Sequence, residues 1–299
     1  MIDAHHHLWD PSRRDYPWMT GTALEPIRRP YTVDDLRTVT KAAGVKGTVL
    51  VQTVSSEEET REFLSLAQAE PLIAGVVGWT DLTAPDVAER VASFSGPLVG
   101  IRHQVEDEPD PSWLTRPEVL RGLAALGEAG LAYDLLVKSP QLPAALAAAK
   151  ALPDQVFVLD HAAKPPIASG EWQPWADGVA ALGELDNVYC KLSGLVTEAD
   201  WARWKVGQLA RWTEHVLESF GASRLMFGSD WPVCELAAAY EVVVDTAFSL
   251  TGSLSDAERL DFFDGTAKRA YHSRPKLTSR QRPGRKPEGR RWEARGPGA

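Results

Sequence analysis

Two histidines, His5 and His7, stand one residue apart in Ile2-Asp3-Ala4-His5-His6-His7-Leu8-Trp9-Asp10. The flanking pattern reads as a strand, whose period of two puts His5 and His7 on one face and His6 on the other. Two imidazoles aimed at one point suit a divalent cation, or a cluster that polarises a carbonyl. A remnant of a purification tag fits less well, because the triplet is embedded between Asp-Ala and Leu-Trp-Asp.

Other polar groups fall at the ends of apolar runs: Arg102 and His103 in Gly100-Ile101-Arg102-His103-Gln104, Lys138 after Tyr133 and Asp134, Asp160 and His161 with Lys164 just beyond, and Asp230 in Phe227-Gly228-Ser229-Asp230-Trp231-Pro232. Five of the seven histidines lie in these places, while His215 and His272 read as structural. Buried imidazoles need partners, and core packing alone gives no reason to gather them. Arg102 has the planar fork that holds a carboxylate or a polarised oxygen, or it anchors a loop. Asp160 is equally a structural acceptor for a neighbouring ring. Trp9, Trp79 and Trp231 either floor a pocket or simply pack.

The elements that must position these groups are eight short apolar runs, at 2–8, 48–52, 73–79, 99–103, 132–138, 156–161, 188–193 and 225–230. Helical patterns lie between most of them. Ser55-Ser56-Glu57-Glu58-Glu59 supplies a cap and an acidic first turn before Phe63, Leu64, Leu66 and Ala67, and further helices are expected over 142–152 and 201–220. Pro117, Pro140 and Pro143 sit near helix starts, where a missing N–H costs little. Continuous apolar strands alternating with helices indicate a parallel sheet covered on both faces. Eight units point to an α/β fold of (β/α)8 TIM-barrel type. The rival open sheet lacks its signatures, since no Gly-x-Gly-x-x-Gly follows the first run and no Gly-Lys-Ser/Thr loop occurs. A barrel of this kind gathers strand-end residues at its C-terminal mouth.

The 299 residues, 44% hydrophobic and 24% charged, suit one large soluble domain over 1–272. No apolar run of about 18 residues predicts a membrane span. The start of the chain has no basic region leading into an apolar core, and two cysteines are too few for a disulfide framework, so the expected location is cytoplasmic. The segment 273–299 holds nine Lys/Arg against two Glu and is rich in Pro and Gly, which predicts a basic, disordered tail. The body before it is therefore more acidic than the chain's net −9, which disfavours a nucleic-acid groove.

The strings Asp3-Ala4-His5-His6-His7-Leu8-Trp9-Asp10, Gly100-Ile101-Arg102-His103, Leu159-Asp160-His161-Ala162-Ala163-Lys164-Pro165 and Phe227-Gly228-Ser229-Asp230-Trp231-Pro232-Val233 together resemble the amidohydrolase superfamily. More narrowly, they resemble its amidohydrolase-2 branch, which includes L-fuconolactonase-, L-rhamnonolactonase- and pyrone-dicarboxylate-lactonase-type enzymes. The resemblance spans about residues 1–271, with Asp264-Gly265-Thr266-Ala267 similar to the family's closing helix. It implies a barrel and hydrolysis, most often of a lactone. Position by position, it makes His5, His7, His161 and Asp230 the candidates for a metal site. No histidine stands in the fifth run to complete a two-metal site, so the implied cofactor is one divalent ion, zinc foremost. Metal-independent catalysis stays open alongside it.

The mechanism this suggests has Asp230 as the general base that takes a proton from water and returns it to the leaving oxygen, with a pKa raised by burial. His5, His7 and His161 bind the ion or polarise the carbonyl directly. Arg102, His103, Lys138, Lys164 and Trp231 are the candidates for holding substrate. A sugar-derived aldonolactone is the expected small-molecule partner, and a homodimer is left open. Two alternatives are a zinc-dependent decarboxylase or amide hydrolase of the same superfamily, and a non-catalytic barrel that only binds a small ligand.

Overall fold

The computed structural model describes residues 1–272; the segment 273–299, with the expectation of disorder attached to it, lies outside the described residues. The apolar runs become eight parallel strands: β1 (Ile2–His6), β2 (Gly47–Val51), β3 (Ile73–Gly78), β4 (Leu98–His103), β5 (Ala132–Leu135), β6 (Phe157–Leu159), β7 (Val188–Leu192) and β8 (Leu225–Phe227). They are hydrogen-bonded in chain order. The ring closes just beyond β8, where His6 bridges Trp231 in parallel. There His7 N–H donates to the Trp231 carbonyl at 2.7 Å and Asp230 N–H donates to the His5 carbonyl at 2.8 Å. The fold is a (β/α)8 barrel.

Its helices are α1 (Val33–Ala42), α2 (Glu57–Ala69), α3 (Val87–Ala92), α4 (Pro117–Glu128), α5 (Leu142–Ala151), α6 (Trp175–Gly183), α7 (Val206–Phe220), α8 (Tyr240–Leu250), α9 (Asp256–Leu260) and α10 (Thr266–His272). Ser56 caps α2 through its side chain, and Pro117 opens α4 at the first turn. Among the described residues no helix is long and apolar enough to cross a membrane.

Several expected boundaries shift, β1 and β5 ending at His6 and Leu135 and three others for a clear local reason. β6 and β8 end early because the backbone turns left-handed: φ is 52°, 49°, 59° and 49° at His161, Ala162, Ala163 and Lys164, and 57° at Asp230. Helix α7 starts at Val206 rather than 201, where Gln208 Oε1 accepts from Lys205 N–H at 2.8 Å. Trp201 belongs to the preceding loop, its indole N–H held by the Thr197 carbonyl at 2.7 Å.

A bulge decides which residues of β1 face inward. The strand uses three steps, Asp3 to His6, where β2 uses two, Thr48 to Leu50. The extra residue changes the parity of the pleat. Ile2 and Ala4 therefore join the apolar floor of the barrel with Val49, Val99, Val158 and Met226. Above the bulge, His5 and His7 meet the other catalytic candidates. Asp3 and His6 point to the outer layer, His6 Nε2 lying 3.0 Å from Thr48 Oγ1. Tyr271 of α10 plugs the floor from below. Each such fully buried side chain contributes about 1.5–3 kcal/mol.

Candidate active site

His5, His7, His161 and Asp230 converge at the C-terminal mouth, all at most 5% exposed. His5 Nε2 lies 3.2 Å from His7 Nε2 and 3.7 Å from Asp230 Oδ1. His7 Nε2 is 3.5 Å and His161 Nε2 3.9 Å from the same oxygen. The rings are held from behind. His7 Nδ1–H donates to the Val51 carbonyl at 2.8 Å, which leaves Nε2 as the nitrogen that faces the site. His161 Nδ1 meets Ser193 Oγ at 2.9 Å. His5 Nδ1 lies 3.3 Å from Asp160 Oδ1.

The site rests on a fully buried column of charge. Lys191 Nζ donates to Asp134 Oδ2 at 2.5 Å, pairs with Asp160 Oδ1 at 2.9 Å and lies 3.1 Å from His5 Nδ1. Tyr271 OH donates upward to Asp134 at 2.8 Å, linking the closing helix to the site. Asp160 Oδ2 also accepts from Arg102 at 3.0 Å. Burial pushes the Asp160 carboxyl up, but Lys191, His5 and Arg102 outweigh it and hold it well below its ordinary value. Asp134 goes the other way: burial raises it to about 6 against the pull of Lys191. Burial lowers His161 to about 4, so it is neutral at working pH.

The expected rise in the Asp230 pKa is corrected. Burial does push it up, but His161, His7 and Lys164 together place it below the ordinary carboxylate value. The neighbours that aim the carboxylate also stabilise its charge.

The substrate-binding candidates divide. Lys164 lines the cleft above the site, and its Nζ donates to Glu106 Oε1 at 2.6 Å. Arg102 lines it too, but most of its donors are engaged: Nη2 with the Gln52 carbonyl and side chain, Nε with the Gln52 side chain, and Nη1 with Asp160. Lys138 lies past the end of β5, half exposed, with Nζ 3.2 Å from Glu106 Oε2, so it reaches the cleft only through that carboxylate. His103 is outside the cleft lining, because the pleat that turns Arg102 inward turns its neighbour away. Its ring stacks on Trp113 at 4.4 Å and bridges Trp79 Nε1 and Glu108. Trp231 does not floor the cleft either: it is 1% exposed, packs edge-on against Tyr31 and donates to Glu235 at 2.8 Å.

Four residues acquire roles that the sequence analysis does not assign. Lys191 is one; its signal is a lysine inside an apolar strand that a parallel barrel buries on both faces. Ser193 orients His161. Asp3 accepts from Ser229 N–H at 2.8 Å, Ser229 Oγ at 2.6 Å and Tyr240 OH at 2.9 Å, fixing the loop that carries Asp230. Gly194 is the fourth, at φ 66°, where an added Cβ would lie 2.8 Å from His161 Nδ1. Gly194→Ala is therefore expected to displace the His161 ring and lower kcat/KM about 100-fold. Steady-state kinetics alongside a melting curve checks this, since the left-handed backbone alone costs only about 1–2 kcal/mol.

The donor set fits a single divalent cation. His5, His161 and Asp230 each offer a ligand atom within 4.8 Å of the others, and His7 Nε2 faces the same space. Each ring is backed at Nδ1 by a carboxylate, hydroxyl or carbonyl, the arrangement that fixes ligating histidines.

The cleft over these groups has a volume of about 280 Å³ and is walled by Trp18, Leu24, Trp201 and Leu236, with Thr53, Glu106, Lys164 and Glu198 among its polar members. A family model described as Amidohydrolase matches residues 2–272. The chain is 41% identical to L-fucono-1,5-lactonase of Burkholderia multivorans over 282 residues, which cover 90% of this chain and 95% of the relative. It is 25% identical to L-rhamnono-gamma-lactonase of Scheffersomyces stipitis over 198 residues, 58% of each protein. A crystal structure of a Burkholderia multivorans amidohydrolase with bound zinc superposes with a TM-score of 0.86 at 40% identity, over 91% of this chain and 98% of that one. The family match runs from the strand that carries His5, with His7 just beyond its end, through the helix that plugs the barrel floor, and the chain belongs to the amidohydrolase family.

Proposed function

We propose that this chain is a lactonase that opens a sugar-derived aldonolactone. The observation that carries this reading is the convergence of one carboxylate and three oriented imidazoles on a point inside a cleft of sugar-ring size. The lactonase relatives at 41% and 25% identity support the same chemistry.

Ring opening needs a nucleophilic water, an electrophilic carbonyl and a proton for the departing oxygen. Asp230 is already ionised at neutral pH and is positioned to take a proton from a water above Oδ1. The hydroxide oxygen bonds to the carbonyl carbon, giving a tetrahedral oxyanion. When the ring C–O bond breaks, Asp230 returns its proton to the leaving alkoxide. The product is a hydroxy acid that ionises, releasing one proton to solvent. Ser193 serves His161 in either tautomer. It accepts from Nδ1–H and frees Nε2 as a ligand, or it donates to Nδ1 and leaves an Nε2–H to stabilise the oxyanion. His5, His7, His161 and Asp230 would hold one divalent ion, zinc by the chemistry of the donors, which when bound supplies Lewis-acid polarisation of the carbonyl. Asp160 holds His5 from behind at Nδ1, and Arg102 Nη1 lies 3.2 Å from Nε2, on the side that faces the reacting point. Both cysteines are free and buried, which suits a cytoplasmic enzyme.

The test is proton release, followed with a pH indicator, across aldonolactones, pyrone lactones and amide substrates. Turnover confined to aldonolactones is the expected result. Silence on every lactone, or turnover of amides alone, would contradict the proposal.

A further inference from the structure

The walls of the cleft carry an unbalanced set of charges. Among its described lining residues, Glu106, Asp107, Glu198 and Asp230 are acidic, and only Arg102 and Lys164 are basic. Both cations are already paired with a protein carboxylate. Arg102 is engaged by Gln52 and Asp160. Lys164 is tied to Glu106 at 2.6 Å, and Lys138, the nearest further cation, leans on the other oxygen of the same carboxylate at 3.2 Å.

Glu198 is different from Glu106. It lines the same wall, yet its carboxylate makes no side-chain hydrogen bond within the described residues, and its main chain is fixed by its carbonyl accepting from Ala168 N–H at 3.0 Å. Burial raises its pKa, Lys164 opposes that, and Glu106 and Asp230 add to it, so the carboxylate feels both the salt bridge and the catalytic base. The left-handed turn from His161 to Lys164 ties this wall to the chemistry, because one strained segment delivers a ring to Asp230 and an ammonium to Glu106. The cleft lining also includes the apolar side chains of Trp18, Leu24 and Leu236.

We infer that Glu198, beside the neutralised Glu106–Lys164 pair, is a specificity-determining residue that accepts hydrogen bonds from substrate hydroxyls and excludes lactones bearing a free carboxylate. This rests on the lactonase reading and assigns to a named residue the discrimination between aldonolactones and their carboxylated counterparts. A carboxylate acceptor makes strong hydrogen bonds to hydroxyl donors, and Lys164 favours that charged form of Glu198 against burial. In the charged form the group repels a carboxylate brought into a partly desolvated cleft, where screening is weak.

The test compares uncharged aldonolactones with aldaric monolactones, in which the terminal carbon of the same sugar is a carboxylate. The wild-type enzyme is expected to favour the uncharged class by about 100-fold in kcat/KM. In Glu198→Gln, KM for the uncharged class should rise about tenfold with kcat nearly unchanged, and the preference should narrow about tenfold. Glu198→Asp, which keeps the charge, should retain the preference. Comparable turnover of both classes by the wild type would overturn the inference and leave the lactonase reading standing. So would an equal fall for both classes in Glu198→Gln, which marks a merely structural role. Turnover of neither class by the wild type would remove the lactonase reading and this inference together.

Discussion

Asp230→Asn is expected to lower kcat about 10³-fold while KM changes by no more than about threefold, since removal of a general acid–base group forfeits its proton transfers but leaves the cleft walls intact. The amide fills the carboxylate's space and keeps the backbone bond from Asp230 N–H to the His5 carbonyl. A binding-only barrel would show no such split. The pH profile of the wild type adds a second reading of the same residue. A base acts when deprotonated, and His161, His7 and Lys164 together overcome burial to hold Asp230 below its ordinary value. Activity is therefore present above that depressed pKa and lost only as the pH falls through it. The profile of kcat/KM should stay flat from neutrality down through about pH 5, and an acid limb centred near pH 6 would contradict this assignment.

The second large effect concerns stability. Lys191 is fully buried between Asp134 and Asp160. Lys191→Met is expected to cost about 3–5 kcal/mol at pH 7, because it leaves two buried carboxylates without their shared cation. The pH dependence of that cost follows from linkage. Asp134 is already raised by burial to about 6, above its unfolded value, and loss of Lys191 pushes it higher. A carboxyl with a raised folded-state pKa penalises folding once the pH exceeds the unfolded pKa, so the deficit should shrink as pH falls from 7 towards about 4. Urea unfolding at pH 7 and pH 5 checks both parts. A deficit under about 1 kcal/mol at pH 7, or one that grows in acid, would contradict the role given to the column.

The contrast between these residues shows what a one-dimensional reading could and could not find. His5, His7, His161 and Asp230 were legible because strand ends in a parallel barrel face one mouth, and their neighbours mark those ends. The number of strands followed from alternating apolar runs. Lys191 carries a signal, a lysine inside a strand expected to be covered on both faces, but its partners Asp134 and Asp160 come from other strands and no spacing in the chain pairs them with it. His103 lies outside the cleft lining, because adjacency to Arg102 in the chain means the opposite face in a strand. Arg102 looked available for substrate, but its donors are taken by Gln52, more than 40 residues away in the chain, and by Asp160. The direction of the Asp230 shift depended on Lys164 and two imidazoles outweighing burial, a balance set by three-dimensional distance. The bulge in β1 has no local marker, yet it allows Ala4 to pack in the floor while His5 reaches the site.

The central claim is that water, activated by Asp230, attacks the lactone carbonyl directly. A single turnover with enzyme in excess over an aldonolactone, run in ¹⁸O-labelled water and read by mass spectrometry, tests it most directly. The account predicts one solvent oxygen in the product carboxylate, none in the new hydroxyl and none in Asp230. Label appearing on Asp230 while the first product carries none, or label in the hydroxyl, would contradict it.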